Sequence, residues 1–368
     1  MQAAAPAVQG WINRLAGSRA FQAFCARVPG LRHLARAEGA AIFDLMQGFV
    51  QSQALCALVE LRLLHLLAEG PAGVTALARR TGLPEARLKV LLQAGAAMRL
   101  LKRQGADYAL ARRGAAFLAV PGLEGMVRHH AVLYGDLSDP VAFFRGDTDP
   151  ALARFWPYVF GAGAAEDPGQ AAAYSRLMAE TQTLVAEEVL AAVDLGRHRK
   201  LMDVGGGTGA FLRAVRARYP AMELALFDLP AVVAQATLPS GIARHAGSFR
   251  DDSLPRGADA ISLIRVLYDH GDATVAQLLA AVRDALPPGG RVLIAEPMSG
   301  GTRPDPQTDL YFAIYTLAMQ TGRTRSADEI AKALCQAGFT HIRKHRAGRP
   351  YIARAVCAQS PKSVKIPA

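Results

Sequence analysis

The chain has 368 residues, of which 51% are hydrophobic and 7% aromatic, and it carries a formal net charge of +11. This length allows two domains with substantial cores, and the composition excludes a disordered or fibrous chain. Four scattered cysteines lack metal-ligand spacing, and no run of 18 uncharged apolar residues is present. We therefore expect a cytoplasmic globular protein with reduced thiols and without a secretory signal or a membrane-spanning segment.

The positive charge lies at the two ends of the chain. Residues 1–37 contain five arginines and no acid, and residues 330–368 contain eight lysines or arginines and no acid. The remainder, 38–329, holds 29 basic and 31 acidic residues. Basic ends favour attraction to an anionic surface such as a membrane or a nucleic acid, and solvated tails are the alternative. We assign 1–37 as a basic extension and 359–368 as a basic tail.

A short helix is predicted over residues 11–28, because Trp11, Phe21 and Phe24 fall roughly on one side of it. Arg14 interrupts this apolar face. Such a helix could lie at a membrane interface. Packing within a dimer is the alternative.

A long apolar helix is predicted over residues 42–67, and a helix-turn-helix follows it. Thr75 is predicted to cap the first of its helices, Gly82 to close the turn, and Pro84 to lie in the first turn of the second helix. A hairpin predicted over 100–110 would complete a winged helix.

The second helix of this motif, residues 84–99, offers few polar side chains and is otherwise rich in Leu, Val and Ala. A recognition helix needs several polar side chains that reach base edges. We therefore predict that residues 38–120 form a winged-helix dimerisation domain that binds no nucleic acid. A DNA-binding regulator is the non-enzyme alternative.

Residues 121–195 are predicted to be a helical region that lines a substrate site and links the domains, with a long helix over 170–195. Residues 126–160 are expected to be irregular and hold a crowded aromatic set: His129, His130, Tyr134, Phe143, Phe144, Phe155, Trp156 and Tyr158. The set could line a pocket or form a small separate core. The two histidines have no third ligand at useful spacing, so no metal site is predicted.

Residues 201–209 carry the strongest motif. A short apolar strand meets Gly205, Gly207 and Gly209, and an amphipathic helix follows. This order places a nucleotide-like ligand at a helix N-terminus. Asp203 stands two residues before the first glycine, where a carboxylate suits a cationic or hydroxyl-rich ligand better than a pyrophosphate.

Two later strands end in residues that fit the same ligand. Asp228 closes the second strand about 20 residues after the glycines, where an acid can accept hydrogen bonds from ribose hydroxyls. Ser248 and Phe249 follow the third strand and could bracket an adenine. An NAD-type Rossmann domain is the alternative.

Strands and helices alternate after this point, which indicates an α/β domain over residues 196–358. A strand is predicted over 260–267, helices over 309–321 and 326–337, and a final hairpin at 340–358.

Together these segments resemble the class I methyltransferases, and over residues 38–358 the small-molecule O-methyltransferases of the caffeic acid and acetylserotonin type. The resemblance implies a Rossmann-like domain that binds S-adenosyl-L-methionine, preceded by a winged-helix dimerisation domain, in a homodimer. It implies cofactor contacts by Gly205, Asp228, Ser248 and Phe249. Our further candidates for the cofactor site are Asp203, Gly207, Leu229 and Arg265.

The sequence departs from that family at the catalytic position. The family has a histidine as general base where this chain has Tyr268, and a glutamate before Arg-Thr where we place Gly322. The candidate catalytic residues are therefore Tyr268, Asp269, His270 and Glu296, with His270 the candidate for accepting the proton and Tyr268 for orienting the acceptor.

A tyrosine at this position is similar to the carotenoid-pathway methyltransferases of photosynthetic bacteria, which methylate the tertiary hydroxyl of demethylspheroidene and hydroxyneurosporene. The resemblance implies a hydrophobic carotenoid substrate and a cytoplasmic protein that lies peripherally at the inner or photosynthetic membrane. Bacteriochlorophyllide C-methyltransferases also lack the histidine, so tetrapyrrole C-methylation stays open, as does O-methylation of a phenol or polyketide.

Overall fold

The structure, a computed structural model, describes residues 6–155 and 168–362. These residues fall into two compact units, Met1–Ala119 and Val120–Ala368.

The first unit is helical apart from a small three-stranded sheet. Its helices are α1 (Pro6–Ala16), α2 (Arg19–Arg27), α3 (Leu31–Glu60), α4 (Leu63–Ala68), α5 (Val74–Thr81), α6 (Glu85–Ala97) and α7 (Arg112–Leu118). Its strands are β1 (Ala72–Gly73), β2 (Leu101–Gln104) and β3 (Asp107–Leu110), in the order β1-β3-β2. Its core is built mainly from leucines, among them Leu58, Leu64, Leu77, Leu88 and Leu92.

The predicted winged helix is confirmed. Gly82 ends α5 with φ of 72°, the left-handed conformation that glycine adopts without strain, and β2 pairs with β3 as the wing. The prediction that Thr75 caps α5 is wrong: the helix begins at Val74, and Gly73 is the capping residue, without a side-chain hydrogen bond.

The helices before the motif differ from their predicted bounds. The single helix predicted over 11–28 is two helices, because Ser18 starts α2 with its hydroxyl accepting a hydrogen bond from Phe21 N. The helix predicted over 42–67 begins earlier, as α3, and breaks at Arg62, whose φ is 53°.

Among the described residues, α3 is long and apolar enough, by length and composition, to cross a membrane. Asp44 interrupts its apolar segment, so the helix contains no run of 18 uncharged apolar residues. Only 11% of its most apolar window is buried. Large side chains along it are exposed: Ile42, Phe43, Leu45, Met46, Phe49 and Val50.

The second unit is a seven-stranded mixed sheet with helices on both faces. Its helices are α8 (Leu123–Asp136), α9 (Pro140–Arg145), α10 (Pro168–Ala192), α11 (Ala210–Arg218), α12 (Pro230–Gln235), α13 (Asp272–Ala285), α14 (Ala313–Met319) and α15 (Ala327–Gln336). Its strands are β4 (Lys200–Val204), β5 (Glu223–Asp228), β6 (Ile242–Ala246), β7 (Ala260–Ile264), β8 (Arg291–Glu296), β9 (Thr340–His345) and β10 (Arg354–Gln359).

The strand order is β6-β5-β4-β7-β8-β10-β9, parallel from β6 to β8 and antiparallel at β10 and β9. The predicted α/β fold with a final antiparallel hairpin is therefore confirmed. The chain reverses its direction of strand addition at β4, which is where open α/β sheets bind ligands. Alternate side chains of the inner strands enter one of two cores, as Met202 and Leu201 do.

Three segments of this unit differ from their predictions. The strand predicted over 260–267 ends at Ile264, and a 3-10 turn at Leu267–Asp269 follows it. Residues 126–160, expected to be irregular, contain α8, α9 and a 3-10 helix at Ala151–Phe155. The helix predicted over 309–321 is a π-helix at Pro306–Phe312 that continues into α14. Trp156 and Tyr158 lie outside the described residues.

Candidate active site

The turn after β4, residues 205–209, is called the glycine turn below. Its three predicted glycines have positive φ between 58° and 79°, which residues with a Cβ rarely adopt. A Cβ on Gly205 would lie 2.9 Å from Val266 Cγ2, so the first glycine also permits close packing. The backbone from Gly205 to Thr208 is partly accessible. The turn thus presents main-chain groups at the sheet edge where the strand order reverses.

Asp203 lies beneath the glycine turn and has no exposed surface. Its Oδ1 accepts a 2.6 Å hydrogen bond from Ser262 Oγ. Burial raises the pKa of Asp203 to about 7; the Ser262 bond lowers it and the charge of Asp228 raises it further. The carboxyl group is enclosed against Gly206 of the turn, and contact of Asp203 with the ligand stays a prediction.

Asp228 ends β5 beside the glycine turn. Its Oδ2 accepts a 2.7 Å hydrogen bond from Gly207 N, and its Oδ1 accepts a 2.7 Å bond from Leu229 N. Burial raises the pKa of Asp228, and these two bonds oppose the rise. Each carboxylate oxygen keeps a second lone pair, so Asp228 can accept hydrogen bonds from ligand hydroxyls while it holds the turn. Because the Leu229 N–H already donates to Asp228, only the side chain of Leu229 can contact a ligand.

Ser248 and Phe249 follow β6, as predicted. Ser248 N donates a 2.8 Å hydrogen bond to Asp252 Oδ2, and Ser248 Oγ accepts a bond from Arg250 N. The Phe249 ring meets the His270 ring edge to face, with centroids 5.2 Å apart. Asp252, which sequence reasoning missed, fixes the loop that carries both predicted residues.

Arg265 links three elements of the site. It has a positive φ of 60°, unusual for a residue with a side chain, and its N–H donates to Ala295 O at 2.8 Å. Its guanidinium donates to Thr181 Oγ1 at 3.1 Å and to Tyr268 Oη at 3.3 Å. Thr181, on α10, was not predicted, because nothing in a helical sequence identifies a single hydroxyl as a partner.

The 3-10 turn Leu267–Asp269, called the tyrosine turn, holds Tyr268 with 2% of its surface exposed. Tyr268 N donates to Glu296 Oε2 at 3.1 Å. Burial raises the pKa of Asp269 well above its usual value. Burial also raises the pKa of Tyr268, so that phenol is protonated at neutral pH. Burial also raises the pKa of Glu296, which has no exposed surface, to about 7.

His270, the predicted proton acceptor, faces a hydrogen-bond donor with its accepting nitrogen, and its role as the base stays a prediction. Burial lowers its pKa to about 4, helped by the charges of Arg250 and Arg325. Its Nδ1 lies 3.3 Å from Arg250 Nη2, a guanidinium nitrogen that only donates. Nδ1 therefore holds the accepting lone pair and Nε2 carries the proton. In this state His270 is a hydrogen-bond donor, and its ring packs against Phe249.

Arg325 holds the main chain of the tyrosine turn by hydrogen bonds, a role that the sequence did not predict. It is 2% exposed and donates 2.8 Å hydrogen bonds to Leu267 O and His270 O. Its charge is balanced by Asp272, whose Oδ1 accepts at 2.6 Å. The buried arginine therefore fixes the main chain on both sides of Tyr268.

Gly322 packs directly against the same turn. A Cβ at this position would lie 2.5 Å from Asp269 C and from His270 N, so the position has no room for any side chain. The position that we match to the family glutamate therefore excludes a glutamate side chain in this chain.

The predicted aromatic set divides in two. Phe143 is buried in a small core with Leu133 and Leu152, whereas Phe144 is 60% exposed. The two histidines of α8 instead form hydrogen bonds to tyrosines that follow β8: His129 Nε2 lies 2.8 Å from Tyr315 Oη, and His130 Nε2 lies 2.8 Å from Tyr311 Oη.

Two family models match the chain. An O-methyltransferase domain matches residues 134–340, and an O-methyltransferase dimerisation domain matches residues 43–119.

Curated relatives cover nearly the whole chain. Demethylspheroidene O-methyltransferase of Cereibacter sphaeroides is 61% identical, over 95% of this chain and 94% of the relative. The Rhodobacter capsulatus protein of the same name is 54% identical, over 97% and 92%. Among solved structures, human N-acetylserotonin methyltransferase in complex with SAM is 26% identical, with a TM-score of 0.76 over 88% of this chain and 98% of that one.

Proposed function

The chain belongs to the O-methyltransferase family, and we propose that it transfers a methyl group from S-adenosyl-L-methionine to the tertiary hydroxyl of a carotenoid of the demethylspheroidene or hydroxyneurosporene type. The observation that carries this proposal is the similarity, over almost the full length, to two demethylspheroidene O-methyltransferases. Tyr268, where the wider family has its basic histidine, is consistent with an acceptor that is not a phenol.

The residues around the glycine turn fit this cofactor. The partly accessible main chain at Gly205 and Gly207 allows close approach of a ligand, and Asp228 retains acceptor capacity for the two ribose hydroxyls. Phe249 and His270 provide a ring pair that an adenine can pack against. When bound, S-adenosyl-L-methionine supplies a methyl group on a positively charged sulphur.

The tyrosine turn prepares the acceptor side. A tertiary alcohol is too weak an acid to lose its proton before the reaction, so the chain must align the hydroxyl and accept the proton late. We assign Tyr268 to positioning, because its hydroxyl accepts from Arg265 and its main-chain N–H is held by Glu296. Asp269 and Glu296 are assigned to fixing that turn, since both are enclosed.

Methyl transfer from labelled cofactor into a panel of acceptors tests the function. The panel should contain demethylspheroidene, hydroxyneurosporene, a phenol and a bacteriochlorophyllide, with products resolved by mass. We expect label in the carotenoid alcohols at a rate at least tenfold above the others. Label in the bacteriochlorophyllide alone would favour C-methylation of a tetrapyrrole instead.

We also propose that two copies associate through the exposed apolar face of α3. The dimerisation model spans most of this helix, and an apolar strip this large on a soluble surface normally marks an interaction site. Leu45 is 82% exposed and Phe49 is 70% exposed.

We propose, finally, that the chain works in the cytoplasm and contacts an anionic membrane surface with α1 and α2, because a carotenoid resides in lipid. Trp11 and Phe24 are 59% and 56% exposed there, and residues 1–37 contain arginines but no acid.

Changing Arg14, Arg19 and Arg27 together to glutamine tests this membrane contact in the full-length chain, without cutting into α3. Binding to anionic vesicles should fall at least several-fold, since each basic residue near the surface contributes about 1 kcal/mol. Cofactor affinity should be unchanged. Equal vesicle binding by the wild type and the variant would contradict the proposal.

A further inference from the structure

Two histidine–tyrosine pairs join α8 to the segment that runs from the π-helix into α14. His129 and His130 are adjacent on α8, and each Nε2 lies 2.8 Å from a tyrosine hydroxyl, on Tyr315 and Tyr311 respectively. The two tyrosine rings stack with centroids 6.0 Å apart and an interplanar angle of 29°. The four rings thus form one continuous polar and aromatic array inside the second unit.

The two pairs differ in their surroundings. Tyr315 is 5% exposed and belongs to an apolar core with Leu133 and Phe143. Tyr311 lies in the π-helix and is half-buried against the edge of the same core, and the charge of Arg265 lowers the pKa of its hydroxyl. π-Helical turns frequently occur at functional sites, because the extra residue turns a side chain out of the regular pattern.

Tyr311 also lies on the segment that packs against the tyrosine turn. The helix that follows it, α14, contacts this turn, and a little further on Gly322 touches the main chain of Tyr268 and Asp269. Arg265 connects the two sites, since it donates to Tyr268 Oη and its charge reaches Tyr311.

The protonation states of the pairs suit proton transfer at neutral pH. Burial lowers the pKa of both histidines, that of His129 to about 4. Burial raises the pKa of Tyr311, and the charge of Arg265 opposes that rise. The imidazoles are therefore neutral and the phenol is protonated. A neutral imidazole can accept a proton, and a phenol can receive one on its oxygen while it gives up its own.

The side chains of the tyrosine turn cannot perform this task. The phenol of Tyr268 is protonated, and the carboxyl groups of Asp269 and Glu296 are buried, with 8% and 0% of their surface exposed. The accepting lone pair of His270 is occupied by Arg250. The proton of the acceptor alcohol needs another destination.

We propose that Tyr311 and His130 form the proton relay of the methyl transfer, with Tyr311 as the residue that meets the acceptor hydroxyl. This inference rests on the proposed function. The alcohol oxygen bonds to the methyl carbon as the carbon–sulphur bond breaks and sulphur keeps its electron pair. The alcohol proton passes to Tyr311 Oη, and the proton of Tyr311 passes to His130 Nε2. His130 then carries the released proton, which it loses to solvent from its half-buried position.

Two variants and a matched control test the relay, each assayed with S-adenosyl-L-methionine and a carotenoid alcohol. Tyr311→Phe removes the hydroxyl and keeps the ring, and His130→Gln keeps a hydrogen-bonding partner that cannot take up a proton. We expect each to lower turnover by about 100-fold, a typical contribution of general acid–base catalysis, with the dissociation constant of the cofactor unchanged. Tyr315→Phe breaks the equivalent bond of the other pair and should keep turnover within about threefold of the wild type.

A second readout does not depend on activity. The nitrogen-15 chemical shift of His130 Nε2 in the full-length protein should change in Tyr311→Phe. It should remain at its wild-type value in Tyr315→Phe. Wild-type turnover in Tyr311→Phe, or equal losses in Tyr311→Phe and Tyr315→Phe, would overturn the relay and leave the proposed function standing. A wild-type protein that leaves the carotenoid alcohol unmethylated would overturn both.

Discussion

Burial decides which side chains around the tyrosine turn can exchange protons. The sequence places four polar side chains there, Tyr268, Asp269, His270 and Glu296, and motif reasoning selects His270 as the base because an ordinary histidine titrates near neutrality. The structure encloses all four and places Arg250 beside His270. Neither the enclosure nor the arginine can be predicted from local sequence, because Arg250 lies 20 residues earlier and reaches His270 only through the loop after β6.

The pH dependence of activity tests whether His270 accepts the proton. Because its pKa is about 4, we expect wild type and His270→Gln to share the shape of their turnover profiles between about pH 6 and pH 8. A profile that falls below about pH 6.5 in the wild type and is flat in the variant would restore His270 as the base.

The same group contributes to stability with a defined sign. Its folded pKa is lowered to about 4, so the unfolded state binds more protons as the pH falls from about 6.5. Wild-type stability therefore decreases on acidification through this window, and His270→Gln removes that part of the decrease. Melting temperatures measured at several pH values in both proteins give the difference.

Asp228 is proposed to bind the ribose hydroxyls and to hold the glycine turn. A matched control on the same strand separates these roles from the simple loss of a negative charge. Asp228→Asn should weaken binding of S-adenosyl-L-methionine by about 1–3 kcal/mol, since it removes charge-assisted hydrogen bonds and loosens the glycine turn. Glu223→Gln, at the exposed start of β5, should leave the affinity unchanged. Calorimetry distinguishes the two, and equal affinity in Asp228→Asn and wild type would remove Asp228 from the cofactor site.

At the scale of elements, the sequence was most informative where hydrophobic periodicity and glycine coincide. The strand–turn–helix at the glycine turn, the winged helix and the final hairpin all follow from local signals and are confirmed. The π-helix at Pro306–Phe312 and the break of the long helix at Arg62 are not visible locally, because tertiary packing selects them over the regular helix. The contacts of Thr181 and Arg325 could not be predicted for a related reason, because a single buried polar contact produces no periodic pattern in the sequence.

The packing of Gly322 against the tyrosine turn predicts that this turn cannot tolerate a side chain at position 322. Gly322→Ala should displace the turn and lower both turnover, by at least about tenfold, and melting temperature, since the new methyl group would overlap main-chain atoms. Gly271→Ala is the matched control, because a Cβ there meets nothing within 4 Å. A methyl-transfer assay measures the turnover of both variants, and melting curves measure their stability. If both variants behave like the wild type, the turn has room to shift and the prediction fails.

At the scale of the whole molecule, the apolar face of α3 predicts the oligomeric state. Leu45→Glu with Phe49→Asp should convert a dimer into monomers, because the charges would be buried without partners at the proposed interface. Val141→Glu, at another exposed apolar position, should leave the dimer intact. Light scattering at micromolar concentration measures the mass, and a monomeric wild-type protein would contradict the proposed interface.

The central claim is that the oxygen of a carotenoid tertiary alcohol accepts the methyl group. The most direct measurement combines cofactor carrying a trideuteromethyl group with hydroxyneurosporene whose hydroxyl is labelled with oxygen-18, followed by mass analysis of the product. The account predicts a methyl ether that contains both the intact trideuteromethyl group and the oxygen-18. A product that carries the label on carbon, or one that has lost the oxygen-18, would contradict it.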